Sequence, residues 1–158
     1  MNNWTQLERA ISIATIAHAG QFDKGGKPYI LHPFHLMNQL MFDPELAEIA
    51  ILHDTIEDTS VTIAYLKQQG FSLRVTDALE LLTHIRGVPY EIYIEGVSTN
   101  YDALRVKRKD LQHNSDIIRL KGVTNKDIRR IEKYHRAYLY LGNAKSNFRR
   151  ENENGQIN

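Results

Sequence analysis

Apolar positions along this chain recur at intervals of three and four residues, the period of helices that bury one face. Leu7, Ala10, Ile11, Ala14, Ala17 and His18 predict a helix over residues 4–19, stopped by Gly20. Residues 21–28 read as a loop by their Gly and Pro content. A short helix follows from Pro33 to about residue 41, and Asp43-Pro44 is a capping pair that starts the next. Ser60 is placed to cap a helix over residues 61–69, which ends at Gly70. Ser72 is placed to cap another that contains Val75, Leu79 and Leu82 and is broken by Gly87-Val88-Pro89. Residues 90–97 and 101–112 predict two more helices. Thr124, with Asp127 three positions on, is an Asp version of the capping box and opens a last helix carrying Ile128, Ile131, Tyr138 and Leu141. Strand-like alternation is confined to Ile92-Tyr93-Ile94. From Asn147 onward the chain is polar and Asn-rich, the composition of a frayed tail. The pattern therefore predicts an all-α fold, with one domain over residues 1–146 and a disordered tail over 147–158.

Composition narrows the chemistry more than the fold. At 158 residues the chain is long enough to bury one real core. A formal net charge of +1 supplies no global field for nucleic acid or an anionic membrane. The chain has no cysteine, which excludes a disulfide framework, a thiolate nucleophile and a Cys-based zinc site. Any metal must be held by His, Asp, Glu or Asn. The N-terminal residues lack a basic region followed by an apolar run, and no apolar stretch is long enough to span a bilayer, so a cytoplasmic protein is expected.

The densest chemistry is His53-Asp54 followed by Glu57-Asp58. On one continuous helix these four groups fall within an arc of about 140°, opposite Ile49, Leu52 and Ile56. Three carboxylates near a helix C-terminus oppose the macrodipole and repel one another, and a cation among them removes the conflict. Two distant segments add to the set. His32 precedes Pro33, which biases its backbone towards an extended conformation at a helix start. Asp110 and Asn114, four apart, share a helix face, with Lys107 one turn earlier. His32, His53, Asp54 and Asp110 make a plausible four-ligand N/O set, compatible with manganese, iron, cobalt or zinc.

Blander readings stand beside these. The acidic stretch could be a solvated helix face, Lys107 could simply pair with Asp110, and Asn114 could be a helix cap. His18, on the apolar face of the first helix, reads as a satisfied core histidine or a partner behind the site. His35, His84, His113 and His135 read as surface or interhelical residues. The run Arg105, Lys107, Arg108, Lys109 points around a helix rather than along one nucleic-acid-binding face.

Several motifs in order carry a family resemblance: His18-x-Gly20-Gln21, Gly26-x-Pro28-Tyr29-Ile30-x-His32-Pro33, Leu52-His53-Asp54-Thr55-x-Glu57-Asp58-Thr59 and Lys107-x-x-Asp110-x-x-x-Asn114. Together they resemble the HD superfamily, and more narrowly the hydrolase domain of RelA/SpoT-type enzymes and the small alarmone hydrolases. The resemblance implies a compact helical domain around one divalent metal, usually manganese, held by His32, His53, Asp54 and Asp110. It implies a catalytic acidic pair, Glu57 and Asp58, and an Asn near the nucleotide sugar, Asn114. The implied reaction removes 3′-pyrophosphate from guanosine 3′,5′-bispyrophosphate (ppGpp) by attack of a water acidified on the metal. Lys24, Lys27 and Lys107 are candidates to neutralise phosphate. The chain departs from the family at Asp23, where an Arg usually faces the base, and at Asp116, where an Arg often follows the Asn. An acid cannot stack on guanine as a guanidinium does. The alternatives are the same chemistry on another phosphorylated nucleotide, or a non-catalytic nucleotide-binding or partner-neutralising module.

Overall fold

The computed structural model describes residues 5–155. Among them are nine α-helices: α1 (Gln6–Ala17), α2 (Leu31–Gln39), α3 (Pro44–Leu52), α4 (Thr55–Asp58), α5 (Ile63–Gln68), α6 (Leu73–Leu82), α7 (Tyr90–Ser98), α8 (Tyr101–Asn114) and α9 (Asn125–Gly155). A 3-10 turn, Ile117–Arg119, separates the last two. No strand occurs among the described residues, and Ile92-Tyr93-Ile94 lies within α7. The all-α expectation is therefore met. The predicted start of the first helix, residue 4, lies outside the described residues.

Helix α3 is the axis of the fold. Leu46, Ala47, Ile49, Ala50, Ile51 and Leu52 are all buried, so this helix is apolar all round rather than striped. It packs against α1, α2, α6 and α8. Asp43 caps it by accepting from the Leu46 amide, with Pro44 in the first turn. Arg74 of α6 reaches Asp43 at 2.5 Å, Glu45 at 2.9 Å and Asp102 at 2.7 Å, which ties the starts of α3, α6 and α8 together.

Three local expectations change. Thr62, not Ser60, caps α5 by accepting from the Tyr65 amide, so that helix starts at Ile63. α2 starts at Leu31, two residues before Pro33, which places His32 in the first helical turn instead of in extended backbone. Pro33 is tolerated there because first-turn amides have no intrahelical partner to lose. The third change is the largest. The helix carrying His53 and Asp54 does not run through to Asp58 but ends at Leu52, and a new one-turn helix begins at Thr55. Side chains take the orphan carbonyls at this break: His53 Nδ1 donates to the Ala50 carbonyl at 2.8 Å and the Thr55 hydroxyl to that of Leu52 at 2.7 Å. The single-helix arc drawn from the sequence is replaced by a corner.

Thr124 and Asp127 form the anticipated reciprocal cap, and α9 lays Tyr134, Ala137, Tyr138, Leu141, Ala144 and Phe148 against the core at helical spacing. Ile128 is instead half exposed. The helix continues through residues 147–155, where the composition suggests a tail, and Phe148 there packs on Tyr101 with ring centroids 5.4 Å apart. Residues 156–158 of that expected tail lie outside the described residues.

Glu48 is only 5% exposed, within the otherwise apolar α3. Burial, with added repulsion from Glu45 and Asp43, pushes its carboxyl up to about 7. A raised folded-state pKa means stability that is fully present below the ordinary carboxylate value and lost as pH rises through 7. Glu48→Gln keeps the shape and removes the charge. It is expected to raise stability at pH 8 by about 1–2 kcal/mol, with little gain at pH 4. Thermal unfolding of both proteins across that range is the check; an equal shift at both pH values would overturn it.

Candidate metal centre

Two helices and one corner bring the predicted ligands together. His32 arrives on α2, His53 and Asp54 at the break between α3 and α4, and Asp110 on α8. Ligand atoms of His32, His53 and Asp110 all lie within 4.8 Å of one another. Asp54 Oδ2 is 2.9 Å from His53 Nε2 and 3.8 Å from His32 Nε2. Asp110 Oδ1 is 3.1 Å from His32 Nε2 and 3.8 Å from His53 Nε2. His32, His53 and Asp110 are buried, and the Asp54 side chain is 20% exposed.

The donor set fits a divalent cation. Both Nε2 atoms are buried and have no directed hydrogen-bond partner in the protein. Such orphans are rare unless a ligand completes them. The Nδ1 of His53 is committed to a backbone carbonyl, so any lone pair the ring offers a cation is at Nε2. The electrostatics agree. Burial alone would raise the Asp54 carboxyl, yet the His53 imidazole beside it outweighs this and holds it at about 2. Burial works against charge on His53 as well, but Asp54 and Asp110 overcome it and lift that ring to about 10. Two carboxylates facing two imidazoles hold the site in want of positive charge.

The remaining predicted residues divide. Asn114 donates from Nδ2 to Asp110 Oδ1 and lines the pocket beside His32. Lys107 is turned inward: its Nζ lies 2.8 Å from Asp110 Oδ2 and 5.2 Å from the centre of the Tyr93 ring. It therefore neutralises Asp110 from behind. Lys24 and Lys27 are both exposed, in the loop before α2 and on two neighbouring pockets that share Asp23, His32, Asp116 and Arg119. Glu57 and Asp58 are exposed in the one turn of α4. Glu57 Oε2 accepts from the His84 amide at 3.0 Å. Partial loss of solvent, with the Asp54 charge, holds both carboxyls above the usual range.

Other residues outside the predicted site set also meet there. Tyr29 donates its hydroxyl to Asp54 Oδ2, and burial, with the charge of Asp54 added, raises the phenol far above its ordinary value. Arg119, from the 3-10 turn, reaches back to Asp23 at 3.0 Å. Gly25 allows this approach, since a Cβ there would meet the Arg119 carbonyl oxygen at 2.6 Å. Arg130 and Tyr134 of α9 line the same pocket. His113, read from sequence as an ordinary residue, touches His32 through ring nitrogens 2.6 Å apart. Its spacing of three from Asp110 on one helix was the available signal. His18 sits behind the site: its Nδ1 bonds Gln21 at 2.8 Å, and its ring packs on Tyr29 with centroids 4.9 Å apart. Around α8 the basic run does point several ways, Arg108 to the Tyr138 carbonyl and Arg105 to Asp102.

No protein-family model matches the chain. Over 89 residues, 54% of its length, it is 36% identical to a guanosine-3′,5′-bis(diphosphate) 3′-pyrophosphohydrolase of Aquifex aeolicus. Over 99 residues, 61% of its length, it is 30% identical to the bifunctional (p)ppGpp synthase/hydrolase SpoT of Escherichia coli. These matches cover 13% and 14% of those proteins, so the chain spans a small part of the curated relatives it matches. A solved structure, described as a metazoan ortholog of SpoT that hydrolyzes ppGpp and plays a role in starvation responses, superposes with a TM-score of 0.73. It covers 96% of this chain and 98% of its own at 16% identity, a likeness of fold. The chain is all-helical, resembles RelA/SpoT-type proteins in sequence over 54–61% of its length, and shares the fold of a SpoT ortholog.

Proposed function

We propose that this chain is a metal-dependent phosphohydrolase that releases pyrophosphate from the 3′ position of ppGpp. The observation that supports it most is the pair of buried, unpartnered Nε2 atoms facing Asp54 and Asp110. Curated relatives that carry this activity in their names add to it.

His32, His53, Asp54 and Asp110 would hold one divalent ion, for which we propose manganese. When bound, such an ion acidifies a coordinated water towards neutral pH and polarises a phosphoryl oxygen. The protein's own groups do the rest. Glu57, held by the His84 amide, or Asp58 orients the attacking water and accepts its proton. Lys107 and Asn114 fix the Asp110 carboxylate from both sides, and Asn114 also faces the pocket where a sugar would lie. Lys24 and Lys27 offer charge to the phosphates as point cations. Asp23 does not present a bare charge to the base, because Arg119 neutralises it and brings a guanidinium to the same wall. We propose a cytoplasmic setting and a catalytic domain over residues 1–146, to which the end of α9 adds Phe148 packed on Tyr101. Among the described residues no helix is long and apolar enough to cross a membrane.

A second reading keeps the chemistry and changes the base, favoured by Asp23 and Asp116 on the pocket walls. Manganese-loaded protein incubated with ppGpp is expected to release GDP and pyrophosphate, resolved by chromatography. No turnover with metal shown bound would sink the ppGpp assignment, and a panel of other 3′-phosphorylated nucleotides would then test the second reading. Binding of these nucleotides without turnover would favour a sequestering module.

A further inference from the structure

His113 and Arg119 lie behind the metal centre, and their hydrogen bonds have a direction that bears on His32. The rings of His32 and His113 are 2° from parallel, with centroids 4.9 Å apart and Nδ1 atoms 2.6 Å apart. So long a centroid separation at so short a nitrogen distance requires both rings in one plane, edge to edge, with the two Nδ1 atoms facing. One of them must donate and the other accept. Arg119 decides which. Its Nη1 lies 3.1 Å from His113 Nδ1 and donates to the His113 carbonyl at 2.8 Å, while Nη2 bonds Asp23. A guanidinium has only donors and disfavours a proton on the His113 Nδ1 beside it, so that nitrogen keeps its single lone pair directed at His32. The proton between the rings then belongs to His32 Nδ1, and the lone pair of His32 sits at Nε2, facing Asp110. His35 stacks on the face of His113 with centroids 4.0 Å apart and fixes that ring's plane.

We infer that His113 and Arg119 are positioning residues that lock His32 into the tautomer able to bind a divalent cation through Nε2. His53 needs no such help, since a backbone carbonyl sets its tautomer. His32 has no carbonyl in that role and depends on two side chains, one of them anchored in the loop that carries Lys24 and Lys27. The inference rests on the ligand assignment proposed above. It adds that metal affinity is set in part from outside the ligand set, as partners behind a ligating histidine generally do.

The test is calorimetric titration of metal-free protein with Mn(II) at fixed pH, without reference to turnover. Leu matches the branched outline of His and removes the acceptor, whereas Asn places an oxygen where Nδ1 stood. His113→Leu is expected to weaken Mn(II) binding about 10- to 100-fold. His113→Asn is expected to stay within about threefold of the parent, a rescue that a purely structural role would not give. Arg119→Met should also weaken binding, and the His113→Leu/Arg119→Met double variant should lose no more than His113→Leu alone, because both act through one bond. Parent-like affinity in His113→Leu, or equal losses in the Leu and Asn variants, would overturn the inference. His32→Ala is the control: if it too binds Mn(II) like the parent, the ligand assignment fails and the relay falls with it.

Discussion

Asp54→Ala is expected to reduce ppGpp turnover by about a thousandfold or more, the equivalent of roughly 4 kcal/mol of barrier. The carboxylate sits where its loss is hardest to cover. Its Oδ2 is within 2.9 Å of His53 and 3.8 Å of His32 and accepts from Tyr29. Asp110 is already engaged by Lys107 and Asn114. Without Asp54, two imidazoles would share one carboxylate whose charge is largely spent on a lysine. The helical fold should survive, since Asp54 makes no side-chain cap on α4 and its side chain is 20% exposed. The measurements are steady-state hydrolysis, metal content by atomic absorption, and far-ultraviolet circular dichroism. Full turnover in a variant shown to be metal-free would remove the metal from the mechanism.

The acidic pair should behave differently. Glu57→Gln is expected to lower kcat about a hundred- to ten-thousandfold while Mn(II) affinity stays near that of the parent. Asp58→Asn should cost less. The distinction rests on anchoring: Glu57 is fixed by the His84 amide, while Asp58 has no side-chain hydrogen bond among the described residues. A fixed acceptor spends no reorganisation when a proton arrives. Both carboxyls lie above their ordinary values, chiefly through partial burial. The base must be ionised, so at saturating metal the rate should fall as pH drops, and begin to fall at a higher pH than an unperturbed carboxylate would give. That acid limb should vanish in the variant of whichever residue is the base. If it persists unchanged in both variants, neither carboxylate takes the proton.

The chain's linear pattern carries most of the fold because helices are local. The caps at Asp43, Ser72 and Thr124 are short-range hydrogen bonds between residues three apart, so they can be read before any tertiary contact is known. The ligand set was legible through the ordered motifs that carry the family resemblance, and by spacing only Asp110 and Asn114 share a helix face. The same local logic failed at His53. Periodicity alone continued that helix to Asp58, and the corner exists because the His53 and Thr55 side chains satisfy the end of α3.

Sequence by itself determined the element types, the absence of thiol chemistry and the identity of the four candidate ligands. It could not place partners from segments far apart in the chain. Arg119 meets Asp23 across 96 positions and His113 meets His32 across 81. Nothing in the spacing of those residues encodes the contact, because it depends on how α2, α8 and the turn after α8 pack. Tertiary structure alone decided that Asp23 is neutralised rather than bare and which nitrogen of His32 carries the proton. Hydrogen-bond polarity and ion pairing are relations between neighbours in space, and only packing makes these residues neighbours.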